Sequence, residues 1–394
     1  MSEPANKKWL GSAFIGAAFL MATSAIGPGF ITQTTVFTAK QGASFGFVIL
    51  VSIIIDIVVQ LNIWNAIAAS RMKASDLVNK LLPGAGYLLG VLVVAGGLVF
   101  NIGNVAGCGL GLQTLFGIDA TTGAIASGVF AIIIFLVKEF GKAMDSLAKW
   151  LGIVMILMVI AVAIIAQPPM AEVVKETVWP SQIHLISILA LVGGTVGGYI
   201  SFAGAHRMLD ASANRPIKMA EVNKAAVSGI VISGIMRVCL FVAAFGVIAT
   251  GFVPDAANPA PSIFKHVLGH TGEKIFGIIF WCAAITSVVG ASYTSASFME
   301  NWHPFFLKQR QWVIVGFIAI ATTCFALFGQ PIKILVAAGA INGLILPVYM
   351  VFILWAFMSR KLMPNFKQRG WLLIAGWIAT ILVAYMSWMA LADL

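Results

Sequence analysis

The sequence predicts an all-α membrane protein with eleven transmembrane helices, ten of which form two five-helix units of opposite orientation. Three observations lead to this fold class. Of the 394 residues, 60% are hydrophobic and 10% are charged, whereas a typical soluble domain has about 25% charged residues. The apolar residues fall into eleven long segments, and glycine-rich breaks interrupt two of those segments.

The eleven segments have the length that a membrane-spanning helix requires. Such a helix needs about 20 apolar residues to cross a hydrocarbon core about 30 Å thick. The candidate spans are residues 9–39, 44–69, 85–115, 121–137, 147–166, 183–208, 222–250, 271–298, 311–328, 331–357 and 370–391.

The placement of the basic residues predicts how the spans are oriented. Of the 24 lysines and arginines, 18 lie on the same side of the spans as the N-terminus, five lie on the other side, and Arg237 lies within a span. Basic residues concentrate on the cytoplasmic side of membrane proteins, so the N-terminus is predicted to be cytoplasmic and the C-terminus outside. The net charge of +10 therefore reflects the topology of the chain in a lipid bilayer and does not indicate a nucleic-acid partner. The sequence makes no prediction of the oligomeric state.

Two breaks lie five spans apart. The first span contains "SAIGPGFITQT" at residues 24–34, and the sixth contains "GGTVGGYISFAG" at residues 193–204. Proline removes a backbone N–H and fits the first turn of a new helix, so helices are expected to restart near residues 29–30 and 198–199. Glycine clusters can also serve close helix packing. The spacing instead favours an inverted repeat of residues 1–166 and 167–357, followed by a loop and helix at 358–394.

The breaks are the predicted ligand site. Unwound backbone is tolerated in a membrane where it lines a cavity or is buried in protein. Each restarting helix offers free N–H groups and a partial positive charge, which together favour a carboxylate. The candidate substrate-binding residues are Gly27, Gly29, Phe30, Thr32, Gln33, Asn101, Asn104, Gly197, Gly198, Tyr199, Ser201 and Asn342.

Two ionisable residues, Asp56 and Arg237, fall well inside spans. Charged side chains at that depth are costly and commonly functional. The pair is interpreted either as a proton relay or gate, or as a buried structural pair.

The spans, the two breaks, the Ser/Thr-rich "AAITSVVGASYTSASF" of span eight and the "LP" of span ten resemble the natural resistance-associated macrophage protein (Nramp) family. Its members are similar to amino-acid transporters of the LeuT fold and import divalent metals with protons. The resemblance covers nearly the whole chain and implies a LeuT-type fold in the inner (cytoplasmic) membrane of a bacterium.

The metal-binding signature of the family is absent. Where the family has Asp-Pro-Gly-Asn, this sequence reads Gly27-Pro28-Gly29-Phe30, and Gly197, Gly198 and Tyr199 stand in place of Met-Pro-His. Manganese and iron need donors such as carboxylate, imidazole or thioether, so the expected function is not metal transport. A proton-coupled transporter of Mn²⁺, Fe²⁺ or Mg²⁺ with an altered site is the alternative.

A subgroup of Nramp-like bacterial proteins carries an altered signature and is associated with 5-oxoprolinase components. The wording "ATSAIGPGFITQT" is similar to that subgroup and implies ion-coupled import of 5-oxoproline or a similar small carboxylate. No enzymatic activity is expected, and no cofactor besides a bound sodium ion.

The coupling ion is sodium or a proton. Thr286 and Ser287 are similar to the Thr-Ser pair that holds sodium in sodium-coupled transporters of the LeuT fold. This resemblance implies that carbonyls of Ser24, Ala25 or Gly27 complete the sodium site. Asp56 would serve proton coupling instead.

Overall fold

The computed structural model describes residues 14, 16–18, 21–212, 216–300, 302–364 and 366–392, without the side chains of residues 138–149 and 211. Within these residues the elements are helices, with a short 3₁₀ turn at Gly42–Ser44. The helices are α1 (Gly16–Ala25, apart from residues 19 and 20), α2 (Pro28–Gln41), α3 (Phe45–Ser70), α4 (Ala74–Leu81), α5 (Ala85–Phe116), α6 (Ala120–Leu136), α7 (Lys138–Ala166), α8 (Met170–Val178), α9 (Leu185–Val196), α10 (Ile200–Ala211), α11 (Met219–Ala249), α12 (Pro259–Met299), α13 (Pro304–Lys308), α14 (Arg310–Phe328), α15 (Pro331–Ala356) and α16 (Gly370–Ala392).

The all-helical class is confirmed, and the count of eleven spans remains a prediction. In the described part of the chain, eight helices are long and apolar enough to cross a membrane, or nine if the bent pair Trp150–Ala166 and Met170–Val178 is one span. That pair bends by 110° at Pro168 and Pro169, which cannot continue a helix. The helix α6 is apolar but has 17 residues. The beginning of the first expected span lies outside the described residues.

Helix α5 lies at the centre of the bundle and packs against α12, α6 and α15, while α3 packs against α11 and α9. The outer helices expose large apolar side chains, including Trp150 on α7, Leu327 on α14 and Trp388 on α16. Apolar surface of this extent is unusual for a soluble monomer. It is the expected outer surface of a bundle that faces lipid.

The first predicted break is confirmed. Helix α1 ends at Ala25, Gly27 is extended (φ −100°, ψ −176°), and α2 begins at Pro28. The proline ring sits against Gly107 of α5, where even a β-carbon would collide with it. The restart therefore comes one residue earlier than the sequence suggested, with proline in its favoured first helical position.

The second predicted break is also confirmed. Helix α9 ends at Val196, Gly197 is extended (ψ 163°), and α10 begins at Ile200. Gly198 has φ of 54°, a left-handed conformation that glycine adopts without steric cost. Both discontinuous helices of the predicted fold are thus present.

Candidate functional site

A small cavity lies where the two broken helices meet. Its volume is ≈ 20 Å³, which is room for about one water molecule. Eight of the predicted site residues line it: Ser24, Ala25, Gly27, Gly29, Phe30, Gln33, Asn104 and Tyr199. The other lining residues are Phe100, Gly103, Gly194, Ile200, Leu335 and Ala338, so the lining contains no ionisable side chain apart from the tyrosine hydroxyl.

The first break presents backbone groups of both polarities to this cavity. On the side of α2, Ile31 N–H donates to the Gly27 carbonyl at 3.3 Å. The preceding N–H groups of Gly29 and Phe30 belong to the first helical turn, whose donors have no partner within the helix. On the side of α1, Ile26 N–H donates to the Ala22 carbonyl at 2.9 Å. The carbonyls of Ser24 and Ala25 follow at the end of α1, where the helix itself supplies no further donor. The break can therefore bind an anion on one side and a cation on the other.

Asn104 and Ser287 approach the first break from α5 and α12. A β-carbon at Gly27 would lie 3.3 Å from Ser287 Oγ and 3.6 Å from Asn104 Oδ1. Asn104 lies beside the Tyr199 hydroxyl, is 5% exposed, and its Nδ2 has no hydrogen-bond partner in the described part of the chain. A buried donor without a partner costs about 1–3 kcal/mol, so this amide is available to a ligand.

Gln33 links α2 to α15 behind the cavity. Its Nε2 donates to the Leu335 carbonyl at 3.2 Å, and its side chain is fully buried. Gly194 and Gly339 provide the space, because a β-carbon at either position would press on the amide. The Oε1 atom has no partner among the described residues.

Two predicted binding residues support the second break rather than lining the cavity. Ser201 Oγ donates to the Val196 carbonyl at 2.7 Å, and Tyr349 hydroxyl donates to the same carbonyl at 2.9 Å. Asn342 Nδ2 donates to the Gly96 carbonyl at 3.1 Å. Its Oδ1 occupies the space that a β-carbon at Gly198 would need. The second break is thus closed by protein groups.

The remaining predicted residues lie apart from the cavity or only at its edge. Asn101 Nδ2 donates to Ser292 Oγ at 2.8 Å and joins α5 to α12. Thr32 is buried but does not line the cavity. Thr286 hydroxyl donates to the Cys282 carbonyl of its own helix at 2.9 Å. Of the pair assigned to sodium, Ser287 alone therefore has a contact at the first break.

Asp56 and Arg237 meet through Thr195, a residue that the sequence analysis did not single out. Arg237 Nη1 donates to Thr195 Oγ1 at 3.0 Å. The Asp56 carboxyl lies near both residues, but it is not among the salt bridges of the described residues. The guanidinium carbon of Arg237 lies 4.1 Å from the centre of the Phe30 ring, a cation–π distance. Arg237 thus contacts Thr195, in the last turn of α9 before the second break, and Phe30, in the first turn of α2 after the first break.

Several donors and acceptors of this polar cluster have no hydrogen-bond partner within the described residues: Asp56 Oδ1, Arg237 Nε, Arg237 Nη2 and both amide atoms of Gln60.

No sequence signal identified Thr195 or Tyr349, because their roles depend on helix packing. In the described ranges, no group of three or more His, Cys, Asp or Glu residues is close enough to hold a metal ion.

Comparison with known proteins places the chain in a family. The family model described as "Natural resistance-associated macrophage protein-like" matches residues 18–393. The uncharacterized membrane protein YcsG of Bacillus subtilis is 50% identical over 376 residues, which cover 95% of this chain and 93% of that protein.

Two solved structures share the fold. The Eremococcus coleocola manganese transporter, in complex with an aromatic bis-isothiourea substituted compound, has a TM-score of 0.73 at 18% identity, covering 100% of this chain and 88% of the other. MhsT in complex with L-phenylalanine has a TM-score of 0.69 at 16% identity, covering 95% and 97%. These likenesses confirm the predicted LeuT-type fold. The chain belongs to the natural resistance-associated macrophage protein-like (Nramp) family of multi-pass membrane transporters.

Proposed function

We propose that this Nramp-family protein is an ion-coupled importer of a small organic carboxylate, such as 5-oxoproline. One observation carries the proposal: the cavity between the broken helices has no acidic, imidazole or thioether group, and its lining includes the Asn104 Nδ2 donor, which has no hydrogen-bond partner in the described part of the chain. Helix N-termini and amide donors suit a carboxylate. The complex of MhsT with L-phenylalanine supports the proposal, because that ligand is itself a carboxylic acid.

The size of the cavity implies alternating access. A volume of ≈ 20 Å³ is far below the roughly 300 Å³ or more of typical small-molecule pockets. A ring-shaped acid therefore needs the half-helices to separate, as rocking of the two repeats in this class of transporter provides. The conformation described here corresponds to a contracted state of the site.

Sodium is the coupling ion that the first break supports best. The carbonyls of Ser24, Ala25 and Gly27 together with Ser287 Oγ would form an oxygen-only site, which suits a hard cation. Thr286 is the weaker member of the proposed set because its hydroxyl already bonds within α12.

We assign the cluster of Asp56, Thr195 and Arg237 to a gate. Arg237 contacts Phe30 on α2 and Thr195 on α9. Movement of either half-helix must therefore break one of these contacts or move the Arg237 side chain with it. Protonation of Asp56 would remove the counter-charge of Arg237, and this is the route by which proton coupling would act.

Divalent metal transport is the second candidate. The manganese transporter of Eremococcus coleocola shares the fold, and membership of the same family favours a related cargo. The cavity lining argues against it, since manganese needs donors that the lining lacks.

Uptake into proteoliposomes tests the two candidates side by side. We expect labelled 5-oxoproline, or another acid from a panel with lactate and proline, to accumulate when a sodium gradient is imposed. Uptake of the same acids under a proton gradient and uptake of Mn²⁺ are measured in parallel, with protein-free liposomes as the control. Manganese uptake without uptake of any carboxylate would reverse the assignment.

A further inference from the structure

A second and larger cavity lies away from the broken helices. Its volume is ≈ 370 Å³, within the usual range of about 300–1,000 Å³ for ligand pockets. Its walls come from α3, α11, the segment before α16, and the start of α16. It shares no lining residue with the cavity at the breaks.

The position of this cavity is at one membrane face. Its α11 residues belong to the first turns of that helix, its α16 residues are the second and third of that helix, and its α3 residues precede the end at Ser70. The neighbouring segment 357–369 contains four basic residues and no acidic residue. By the distribution of basic residues, this face is the cytoplasmic one.

The floor of the cavity is polar and incompletely satisfied. Asn65 is 2% exposed, and its Nδ2 donates to Gln368 Oε1 at 3.3 Å. Its Oδ1 has no partner in the described part of the chain, and the same holds for Asn223 Oδ1 on α11. Buried polar atoms of this kind call for a ligand or water.

The rim of the cavity is cationic and amphipathic. Lys367 and Arg369 line it and are exposed, and neither takes part in the salt bridges of the described residues. Trp371 is 58% exposed at the start of α16, as expected of an indole at the membrane interface. Glu221 on α11 does not line the cavity.

We propose that this cavity binds the headgroup of an anionic phospholipid that carries hydroxyl groups, as phosphatidylglycerol does. Lys367 and Arg369 pair with the phosphate, and the unpartnered oxygens of Asn65 and Asn223 accept hydrogen bonds from the headgroup hydroxyls. The acyl chains leave past Trp371 along the lipid-facing side of α16. Basic pockets between transmembrane helices at the cytoplasmic face have this general use.

Native mass spectrometry of the purified full-length protein tests the proposal. Delipidated protein is titrated with phosphatidylglycerol and, separately, with phosphatidylcholine. We expect the protein to retain phosphatidylglycerol preferentially, and the double variant Lys367→Gln/Arg369→Gln to bind it about thirty-fold more weakly, in line with about 1 kcal/mol for each of the two basic residues.

The matched control is Arg360→Gln/Lys361→Gln, which removes the same charge from the same segment without altering the cavity lining. We expect this control to bind phosphatidylglycerol like the unmodified protein. An equal loss in both double variants would show general surface attraction and would overturn the proposal. Binding of inorganic phosphate as tight as that of phosphatidylglycerol would assign the site to a soluble anion and would also overturn the proposal.

Discussion

The two breaks look alike in the sequence and differ in the structure. At the first break, the backbone of Gly27 and Gly29 opens onto a cavity beside the unpartnered amide of Asn104. At the second, Ser201 and Tyr349 both donate to the last carbonyl of α9. A glycine-rich interruption can therefore serve either a ligand or the surrounding protein, and the neighbouring side chains decide which.

The largest effect is expected at the residue that touches both broken helices. Replacing Arg237 by Met removes its bond to Thr195 and leaves the Asp56 carboxyl without a counter-charge. Breaking one side of a buried charge pair costs about 3–5 kcal/mol. The midpoint of thermal unfolding in detergent should fall accordingly, while the double variant Arg237→Met/Asp56→Asn should recover most of the loss. No recovery would mean that the two residues do not act as a pair.

The next effect separates the two breaks directly. Gly198→Ala meets both a left-handed φ of 54° and the Asn342 side chain, so we expect a loss of about 1–3 kcal/mol in stability. Gly29→Ala should fold normally, because its β-carbon would make an ordinary 3.5 Å contact with the Leu335 carbonyl. Thermal unfolding and chromatographic homogeneity measure both outcomes.

Gly29→Ala, which should fold normally, should nevertheless impair transport. The methyl group of Gly29→Ala enters a cavity that holds about one water molecule, so uptake should fall at least about ten-fold while folding is preserved. Gly290→Ala on α12, whose β-carbon would meet nothing within 4 Å, is the control. Normal uptake by Gly29→Ala would show that the backbone of the first break does not hold the ligand.

A smaller effect is expected from Tyr349→Phe at the second break. It removes one of two donors to the Val196 carbonyl and leaves Ser201 in place. One such hydrogen bond contributes about 1 kcal/mol, so stability should drop modestly. Substrate affinity should stay the same in equilibrium binding, and a marked change in affinity would mean that Tyr349 or the Val196 carbonyl takes part in ligand binding.

The smallest effect concerns the coupling ion. Ser287→Ala should raise the sodium concentration for half-maximal uptake about five-fold, equivalent to roughly 1 kcal/mol. Thr286→Ala should change it little, because that hydroxyl bonds to its own helix. Equal behaviour of the two variants in a sodium titration would contradict a sodium site between Gly27 and Ser287.

The sequence predicted the first break because Gly-Pro-Gly has few other uses inside an apolar span, and the second from a glycine cluster five spans later. It also offered a pairing of Asp56 with Arg237 as one of two interpretations, because charged side chains are costly in lipid. It did not predict Thr195 between them, nor the closure of the second break by Tyr349. Both depend on which faces of α9, α11 and α15 meet, and composition and spacing do not specify this.

The seat of Pro28 against Gly107 has a mechanical consequence. The Pro28 ring fills the space beside Gly107 of α5, where even a methyl group would not fit. We expect this contact to act as a pivot. Tilting of α2 about that point would keep this contact, whereas a shift of α2 along α5 would break it. Opening of the protein should therefore rotate α2 about the contact between Pro28 and Gly107. A bulkier residue at position 107 should hinder this rotation.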